Sequence, residues 1–181
     1  MSLPIISSLL ILVCLATASL PTETLAGTCG ADRDQRSAGE LSLVYRGAWF
    51  EVRYPAGFTV RESLKSTTAE GYDSAEFVSP DGSVSFYVYS PQWGGEPADI
   101  ALDPERETLL SEQLYHKPNR KVRLFTISAK DGSYQRSYWD TVAHQGSVRT
   151  IVGVKYKNKD ARLRYQKSYD LFRRSLKQFA D

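Results

Sequence analysis

The chain has 181 residues, of which 24% are charged and 41% hydrophobic, and this is the balance of a soluble globular domain. Its formal net charge is only +2 and it has two cysteines, Cys14 and Cys29, which excludes a small scaffold held together by several disulfides. The folded domain must therefore be stabilised by its hydrophobic core.

The N-terminal segment has the pattern of a cleavable signal peptide. Residues 3–16 carry no charge and consist mostly of Leu, Ile, Val and Ala, as in the apolar core of such peptides. Small residues that follow predict cleavage before Ser19 or before Gly27. We therefore expect residues 1–26 to be a signal peptide and the mature protein to be periplasmic or secreted.

Two alternatives would attach this segment to a membrane. An uncleaved anchor would use residues 3–20, which are short for a membrane-spanning helix and include Pro4. The sequence before Cys29 resembles a lipid-attachment motif, but Thr28 separates the cysteine from the small residues. Cys14 lies inside the predicted signal peptide, so Cys29 has no intramolecular disulfide partner. Membrane association is thus expected only if the chain is lipidated or anchored.

The predicted mature chain is a single α+β domain over residues 41–181, preceded by a polar stretch. Residues 27–40 have no apolar periodicity and predict a flexible N-terminus. Residues 80–82, Pro-Asp-Gly, have turn chemistry that closes a hairpin. In its second strand Val84, Phe86 and Val88 point one way and Ser and Tyr side chains the other, which predicts a sheet with one wetter face. The first strands are expected at residues 48–54, 58–60, 74–79 and 83–90.

Three aromatic residues near the end of this hairpin are candidate binding residues. Tyr87 and Tyr89 lie on the wetter face of the strand, and Trp93 follows in a loop rich in Gly and Pro. Tyr and Trp often dominate interfaces, because they offer large amphipathic contacts. The alternative is that a helix or loop covers this face and that these aromatic residues belong to the core.

A helix is predicted over residues 103–115. The Asp-Pro-Glu sequence at its start supplies an N-cap, a proline at the first helical position and an acidic first turn. Such a helix would bury Leu110 and Leu114 and would end at residues 116–119.

The rest of the chain predicts an antiparallel meander followed by an amphipathic helix. The meander strands are expected at residues 121–129, 133–142 and 148–156, with tight turns between them. Asp160 predicts the N-cap of the helix, whose apolar residues recur at spacings of 3 and 4, so that one stripe packs on the sheet. That stripe consists of Tyr165, Tyr169, Phe172, Leu176 and Phe179.

The sequence contains no recognisable catalytic or cofactor-binding motif. Two histidines, His116 and His144, with one mature cysteine are too few for a zinc site, and the Asp-Gly pairs at residues 81–82 and 131–132 are explained as hairpin turns. Neither G-x-S-x-G nor a phosphate-binding loop is present. We expect no catalytic residue, no metal and no cofactor. The alternative is a hydrolase of an envelope substrate, assembled from Ser, His and Asp residues distant in sequence.

Charge is distributed unevenly along the chain. Residues 27–100 carry 6 basic and 11 acidic side chains, whereas residues 149–181 carry 10 and 3. Such asymmetry indicates either a surface for an anionic partner or a basic element that faces solvent or the acidic half. For an exported protein, anionic lipid, an envelope polymer or an acidic protein fits better than nucleic acid. The basic residues concerned are Arg149, Lys155, Lys157, Lys159, Arg162, Arg164 and Lys167.

Residues 50–60, Phe-Glu-Val-Arg-Tyr-Pro-Ala-Gly-Phe-Thr-Val, resemble the opening strand and turn of PsbP-like domains. The order of the predicted elements over residues 41–179 is similar too. The resemblance implies a sandwich with an antiparallel sheet flanked by helices, and a non-enzymatic binding role, but it names no ligand and no functional residue. We thus expect an exported binding or accessory protein of the cell envelope, whose partner is a protein or another envelope component.

Overall fold

The computed structural model describes residues 41–92, 95–143 and 148–179. The predicted signal peptide and flexible N-terminus fall outside the described residues, as do Trp93 and His144. In the described part, no helix combines the length and the apolar composition needed to cross a membrane. The elements are β1 (Leu41–Arg46), β2 (Phe50–Pro55), β3 (Thr59–Glu62), β4 (Ser74–Val78), β5 (Val84–Tyr89), a 3₁₀ turn (Ala98–Ile100), β6 (Glu107–Lys117), β7 (Arg120–Ala129), β8 (Gln135–Ala143), β9 (Arg149–Tyr156), α1 (Lys159–Ser175) and β10 (Lys177–Gln178).

All strand pairs are antiparallel, and they form two sheets. The large sheet has the order β3-β4-β5-β9-β8-β7-β6, and the small one has the order β1-β2-β10. The predicted β4–β5 hairpin is confirmed: Gly82 has a φ of 61°, and the Asp81 carboxylate accepts hydrogen bonds from the Ser83 backbone N–H and the Ser79 hydroxyl. The predicted meander is also confirmed, as β7, β8 and β9.

The main core lies between the large sheet and a layer made of α1 and the small sheet. Phe172 on α1 is fully buried, with its ring centroid 5.1 Å from those of Phe77 and Phe86. Phe50 and Val52 of β2 complete this core from the small sheet. The stripe of α1 is therefore buried as its spacing predicts, through Tyr165 and Phe172.

The ends of α1 differ from the prediction. The N-cap is Asn158 rather than Asp160, because the Asn158 side chain accepts a hydrogen bond of 2.8 Å from the Ala161 backbone N–H. At the other end the helix stops at Ser175, and the next residues pair with β2 as β10. Phe179 is consequently 45% exposed and does not belong to the buried stripe.

A second hydrophobic cluster lies on the opposite face of the large sheet. It joins Tyr87, Tyr89, Phe125 and Tyr138 to Ile100 of the 3₁₀ turn. Irregular chain therefore covers part of the face that the sequence predicts to be the wetter one. In the described part this segment takes the place of a second flanking helix, so the fold is α+β but predominantly β.

The predicted helix over residues 103–115 is wrong, because this segment is a turn followed by the edge strand β6. The helix-start signal does form one turn: the Glu107 backbone N–H donates to the Asp103 carbonyl, at 2.7 Å. The chain then extends and pairs with β7 along its length, apart from a bulge at Leu109–Ser111. Leu110 and Leu114, expected to be buried, are exposed.

Candidate functional site

The predicted binding residues Tyr87 and Tyr89 lie in the second hydrophobic cluster. Their exposed fractions are 7% and 3%, so the alternative interpretation, core residues under a covering loop, describes both positions. The Tyr87 hydroxyl donates to an Asp99 carboxylate oxygen at 2.8 Å. Burial, together with the nearby Asp73 carboxylate, raises the pKa of Tyr89 to about 12. A binding role for Trp93 stays a prediction, since that residue is not described.

Some basic residues of the C-terminal third form ion pairs within the fold, and others do not. Arg149 pairs with Asp140 at 2.7 Å and Arg164 with Asp81 at 2.9 Å, so both are neutralised within the fold. Arg162 and Arg173 form no ion pair with any carboxylate in the part of the chain that the structure describes. These two guanidinium groups line the same concave surface.

That surface is a groove of about 300 Å³ between α1 and the part of the large sheet that α1 leaves uncovered. We call it the arginine groove. One wall is the helix and the floor consists of β6, β7, β8 and β9. The residues that line it are Arg162, Gln166, Tyr169 and Arg173 on α1 and Ser111, Gln113, Leu124, Phe125, Thr126, Ser137, Tyr138, Trp139 and Val154 on the strands.

The helix wall follows from helical geometry. Its four groove residues are spaced 4, 3 and 4 apart, which places them in one row along α1. Arg162 and Arg173 lie at the two ends of this row. Their Cα atoms are separated by roughly 16 Å along the helix axis, at a rise of about 1.5 Å per residue. Burial raises the pKa of the Tyr169 hydroxyl, and the Arg173 charge opposes that shift, so this phenol stays neutral.

Strand register arranges the floor as two rows of side chains. Gln113, Leu124 and Trp139 are cross-strand partners in one row. Ser111, Thr126 and Ser137 are partners in the next, where the Thr126 and Ser137 hydroxyls are hydrogen bonded at 3.0 Å. The floor therefore offers an aromatic and apolar row beside a row of hydroxyls.

Arg173 and Trp139 link the wall to the floor. The guanidinium carbon lies 5.0 Å from the indole ring centroid, which is the geometry of a cation–π contact. Trp139 remains 40% exposed, although aromatic side chains of this size are usually buried in a core. The contact holds the Arg173 side chain over the groove without neutralising its charge.

The chemical character of the arginine groove is positive and polar. Its lining supplies guanidinium, amide and hydroxyl groups, but no carboxylate, imidazole or thiol. A carboxylate does lie beside it, because Gln166 donates to Asp170 on the next turn at 3.2 Å. The arrangement can bind an anionic group and hydrogen-bond to polar ones. It contains no group that would accept a proton from a hydroxyl at neutral pH.

Sequence reasoning found only part of this site. Arg162 belongs to the basic set that the charge distribution singles out, whereas Arg173 and Trp139 were not singled out. The signal available was the 4, 3, 4 spacing of polar and aromatic residues beside the buried stripe of the helix. The strand residues carry no comparable signal, because their shared face depends on pairing between strands distant in sequence.

The hydrolase alternative gains no site from the described residues. His116, the one described histidine, lies on the exposed edge strand β6 and does not line the arginine groove. Among the residues placed by the structure, no three His, Cys, Asp or Glu side chains are grouped to hold a metal ion.

No protein-family model and no curated protein matches the chain. Among solved structures it is similar to cyanobacterial PsbP (CyanoP) from Synechocystis sp. PCC 6803, with a TM-score of 0.44 and 12% identity over 86% of this chain and 100% of that one. It is also similar to the Ran-binding protein Mog1p of Saccharomyces cerevisiae, with a TM-score of 0.39 and 9% identity over 72% of this chain and 90% of that one. A PsbP structure is thus among the solved structures to which the chain is similar. Neither likeness assigns a ligand or a functional residue.

Proposed function

We propose that the chain is an exported, non-enzymatic binding protein that holds an anionic sugar polymer of the cell envelope in the arginine groove. One observation carries the proposal: two arginines without carboxylate partners face a groove whose lining contains no acidic side chain. A ligand that brings carboxylate or phosphate groups would neutralise both charges through bidentate hydrogen bonds.

The spacing of the arginines favours an elongated ligand. Their Cα atoms lie roughly 16 Å apart along the axis of α1, at a helical rise of about 1.5 Å per residue. One small anion would engage one arginine at a time. A polymer with a charge on successive units would engage both arginines. The second contact would then form without a second loss of translational entropy.

The floor of the groove favours sugars over an acidic peptide. Trp139, which is 40% exposed, offers amphipathic aromatic surface to a sugar ring beside the Arg173 guanidinium, and the Ser111, Thr126 and Ser137 row offers hydroxyl partners for its hydroxyls. A peptide bound as an added strand would need a free strand edge. The groove instead exposes the faces of paired strands.

The same lining supports a binding role rather than catalysis. Ser111 and Ser137 carry the hydroxyls that could serve as nucleophiles. Neither has an imidazole or a carboxylate in the lining to remove its proton. A ligand held here would leave the groove chemically unchanged.

Calorimetry with oligogalacturonate tests the proposal, with dextran fragments of similar length as the uncharged control. We expect wild-type protein to bind the uronate in low salt and to ignore dextran. Arg162→Gln and Arg173→Gln should each weaken binding about tenfold, as expected for a lost charge-assisted contact of roughly 1.4 kcal/mol. Arg174→Gln is the matched control, because Arg174 is exposed on the same helix and does not line the groove.

Two results would overturn this assignment. One is equal weakening by Arg174→Gln and Arg173→Gln, which would mean that the general charge of the helix, and not the groove, attracts the polymer. The other is tighter binding of poly-glutamate than of oligogalacturonate, which would favour an acidic protein as the partner.

Export is tested separately by the mass of the mature chain. Expression from the full-length gene in a bacterial host should give periplasmic or secreted protein whose N-terminus lies between Ser19 and Gly27. The motivation is the uncharged apolar run of residues 3–16 followed by small residues. Recovery of the protein with Met1 intact would contradict export by a cleaved signal peptide.

A further inference from the structure

A second cavity lies on the opposite face of the large sheet from the arginine groove. Its volume is about 470 Å³, and β5, β8, β9 and the segment after the 3₁₀ turn contribute to its lining. Unlike the groove, it is lined by charges of both signs. We call it the mixed-charge cavity.

Most of these charges are already paired within the fold. Arg136 and Glu107 form a buried ion pair, and the Arg136 guanidinium also donates to the carbonyls of Ile100 and Ala101 and to the Tyr138 hydroxyl. All of the Arg136 donor groups are thereby used, so this residue builds the wall and is not free to bind a ligand. Two looser pairs at 3.9 Å, Arg61 with Glu76 and Arg106 with Asp103, neutralise further charges.

Two opposite charges in the cavity have only neutral partners. The Asp99 carboxylate accepts from the hydroxyls of Ser74 at 2.9 Å and Tyr87 at 2.8 Å. The Lys155 ammonium lies 4.1 Å from the centroid of the Tyr134 ring. Neither has an ion-pair partner among the described residues. Glu62 is a third charge in the lining, but it accepts from Tyr45 on the small-sheet side.

Strand register separates these two charges along the cavity. Lys155 is the cross-strand partner of Ser85. Asp99 is tied to Ser74, which is the partner of Tyr89, four residues further along β5. The carboxylate and the ammonium thus lie apart in one cavity and form no ion pair with each other.

We propose that the mixed-charge cavity binds a small zwitterion, with its ammonium group at Asp99 and its carboxylate at Lys155. A ligand bearing both groups would complete two ion pairs at once, in a cavity whose other charges are satisfied. The volume lies in the usual range for small-molecule sites, roughly 300–1,000 Å³. The inference does not depend on the proposed function of the arginine groove.

The test uses trialanine as the probe, in four forms measured by calorimetry at neutral pH. The forms are free at both ends, acetylated at the N-terminus, amidated at the C-terminus, and blocked at both ends. We expect the free peptide to bind at least tenfold more tightly than either singly blocked form. Binding of the doubly blocked peptide should be too weak to measure.

Two variants assign each end of the peptide to its partner. In Asp99→Asn, acetylation of the peptide should have no further effect, while amidation still weakens binding. In Lys155→Met the pattern should reverse. Lys121→Met, on the exposed surface of β7, is the matched control and should bind all four forms as wild type does. Thermal melts confirm that each variant is folded.

Two outcomes would overturn the proposal. One is an affinity for the doubly blocked peptide equal to that for the free one, and the other is no saturable binding of the free peptide up to 10 mM. The Arg162→Gln, Arg173→Gln double variant should retain peptide binding, so failure of one site is distinguishable from failure of the other.

Discussion

Phe172 is the residue in which the spacing of the sequence and the packing of the fold agree most closely. It is fully buried, and its ring centroid lies 5.1 Å from those of Phe77 and Phe86. Phe172→Ala should lower the free energy of unfolding by about 3–5 kcal/mol, because truncation of a buried Phe leaves a cavity. Urea denaturation measures this loss. Phe179→Ala is the control and should cost under about 1 kcal/mol, because Phe179 is largely exposed; equal costs would contradict the packing of α1.

Trp139 and Arg173 show what sequence reasoning at this scale misses. Nothing local distinguishes Trp139 from a core aromatic residue, and Arg173 is one of many basic residues in the C-terminal third. Their contact depends on where β8 lies beneath α1, which only the tertiary fold determines. The buried stripe of a helix can be predicted from its period, whereas a pair that joins a helix to a strand cannot.

The N-terminus of α1 is a feature of the whole element that a pair of variants can test. Asn158 caps the helix through its hydrogen bond from Ala161, and Asp160 lies in the first turn without that role. Asn158→Ala should cost about 1 kcal/mol or more of unfolding free energy. Asp160→Ala should cost about 0.5 kcal/mol, because it removes only a favourable interaction with the helix dipole. A larger loss of unfolding free energy for Asp160→Ala than for Asn158→Ala, measured by urea denaturation, would mean that Asp160 is the cap.

Glu107, the first residue of β6, makes the free energy of unfolding depend on pH in the acid range. Burial alone would raise the pKa of Glu107, but the hydrogen bonds from Arg136, the Asp103 backbone and Tyr134 hold that pKa at about 2. A carboxyl with a depressed pKa contributes stability above its ordinary value of 4.5, and this contribution is lost as the pH falls toward 2. We expect the unfolding free energy to fall across this window. Burial opposes a low pKa at Asp81 too, but hydrogen bonds from Ser79 and Ser83 and the Arg164 charge hold it at about 2, so Asp81 contributes to the same loss of stability in acid.

Glu107→Gln provides the comparison for that pH profile. The variant should be less stable than wild type at pH 6, because Arg136 would keep a buried charge without its partner. Its stability should fall less between pH 5 and pH 2, because the missing carboxyl no longer takes up a proton. Parallel profiles for the two proteins would show that Glu107 does not contribute to the acid dependence.

The error over residues 103–115 has a physical reason at the same scale. The Asp-Pro-Glu start does make a helical turn, so the local signal is read correctly. The chain leaves the helix because Glu107 pairs with Arg136 and the following residues pair with β7. Both partners lie later in the chain. Local propensity therefore cannot decide between a short helix and an edge strand here.

Over the whole molecule, most elements with short-range signals are predictable from the sequence, residues 103–115 being the exception, and the proposed sites are not. The β4–β5 hairpin, the meander and α1 follow from turn chemistry and apolar periodicity. Both proposed ligand sites lie on faces shared by several strands, and strand order in the large sheet is not sequential. The arginine groove and the mixed-charge cavity thus arise from the fold, on opposite faces of one sheet.

An NMR titration of the ¹⁵N-labelled protein with oligogalacturonate tests the central claim most directly. The account predicts that the Trp139 indole N–H signal and the Arg173 side-chain Nε–H signal shift together and saturably. The Trp49 indole N–H, hydrogen bonded to Thr68 at 2.9 Å and outside the groove, should remain in place. Shifts confined to the exposed Lys157, Lys159 and Lys167, with Trp139 unchanged, would contradict binding in the arginine groove.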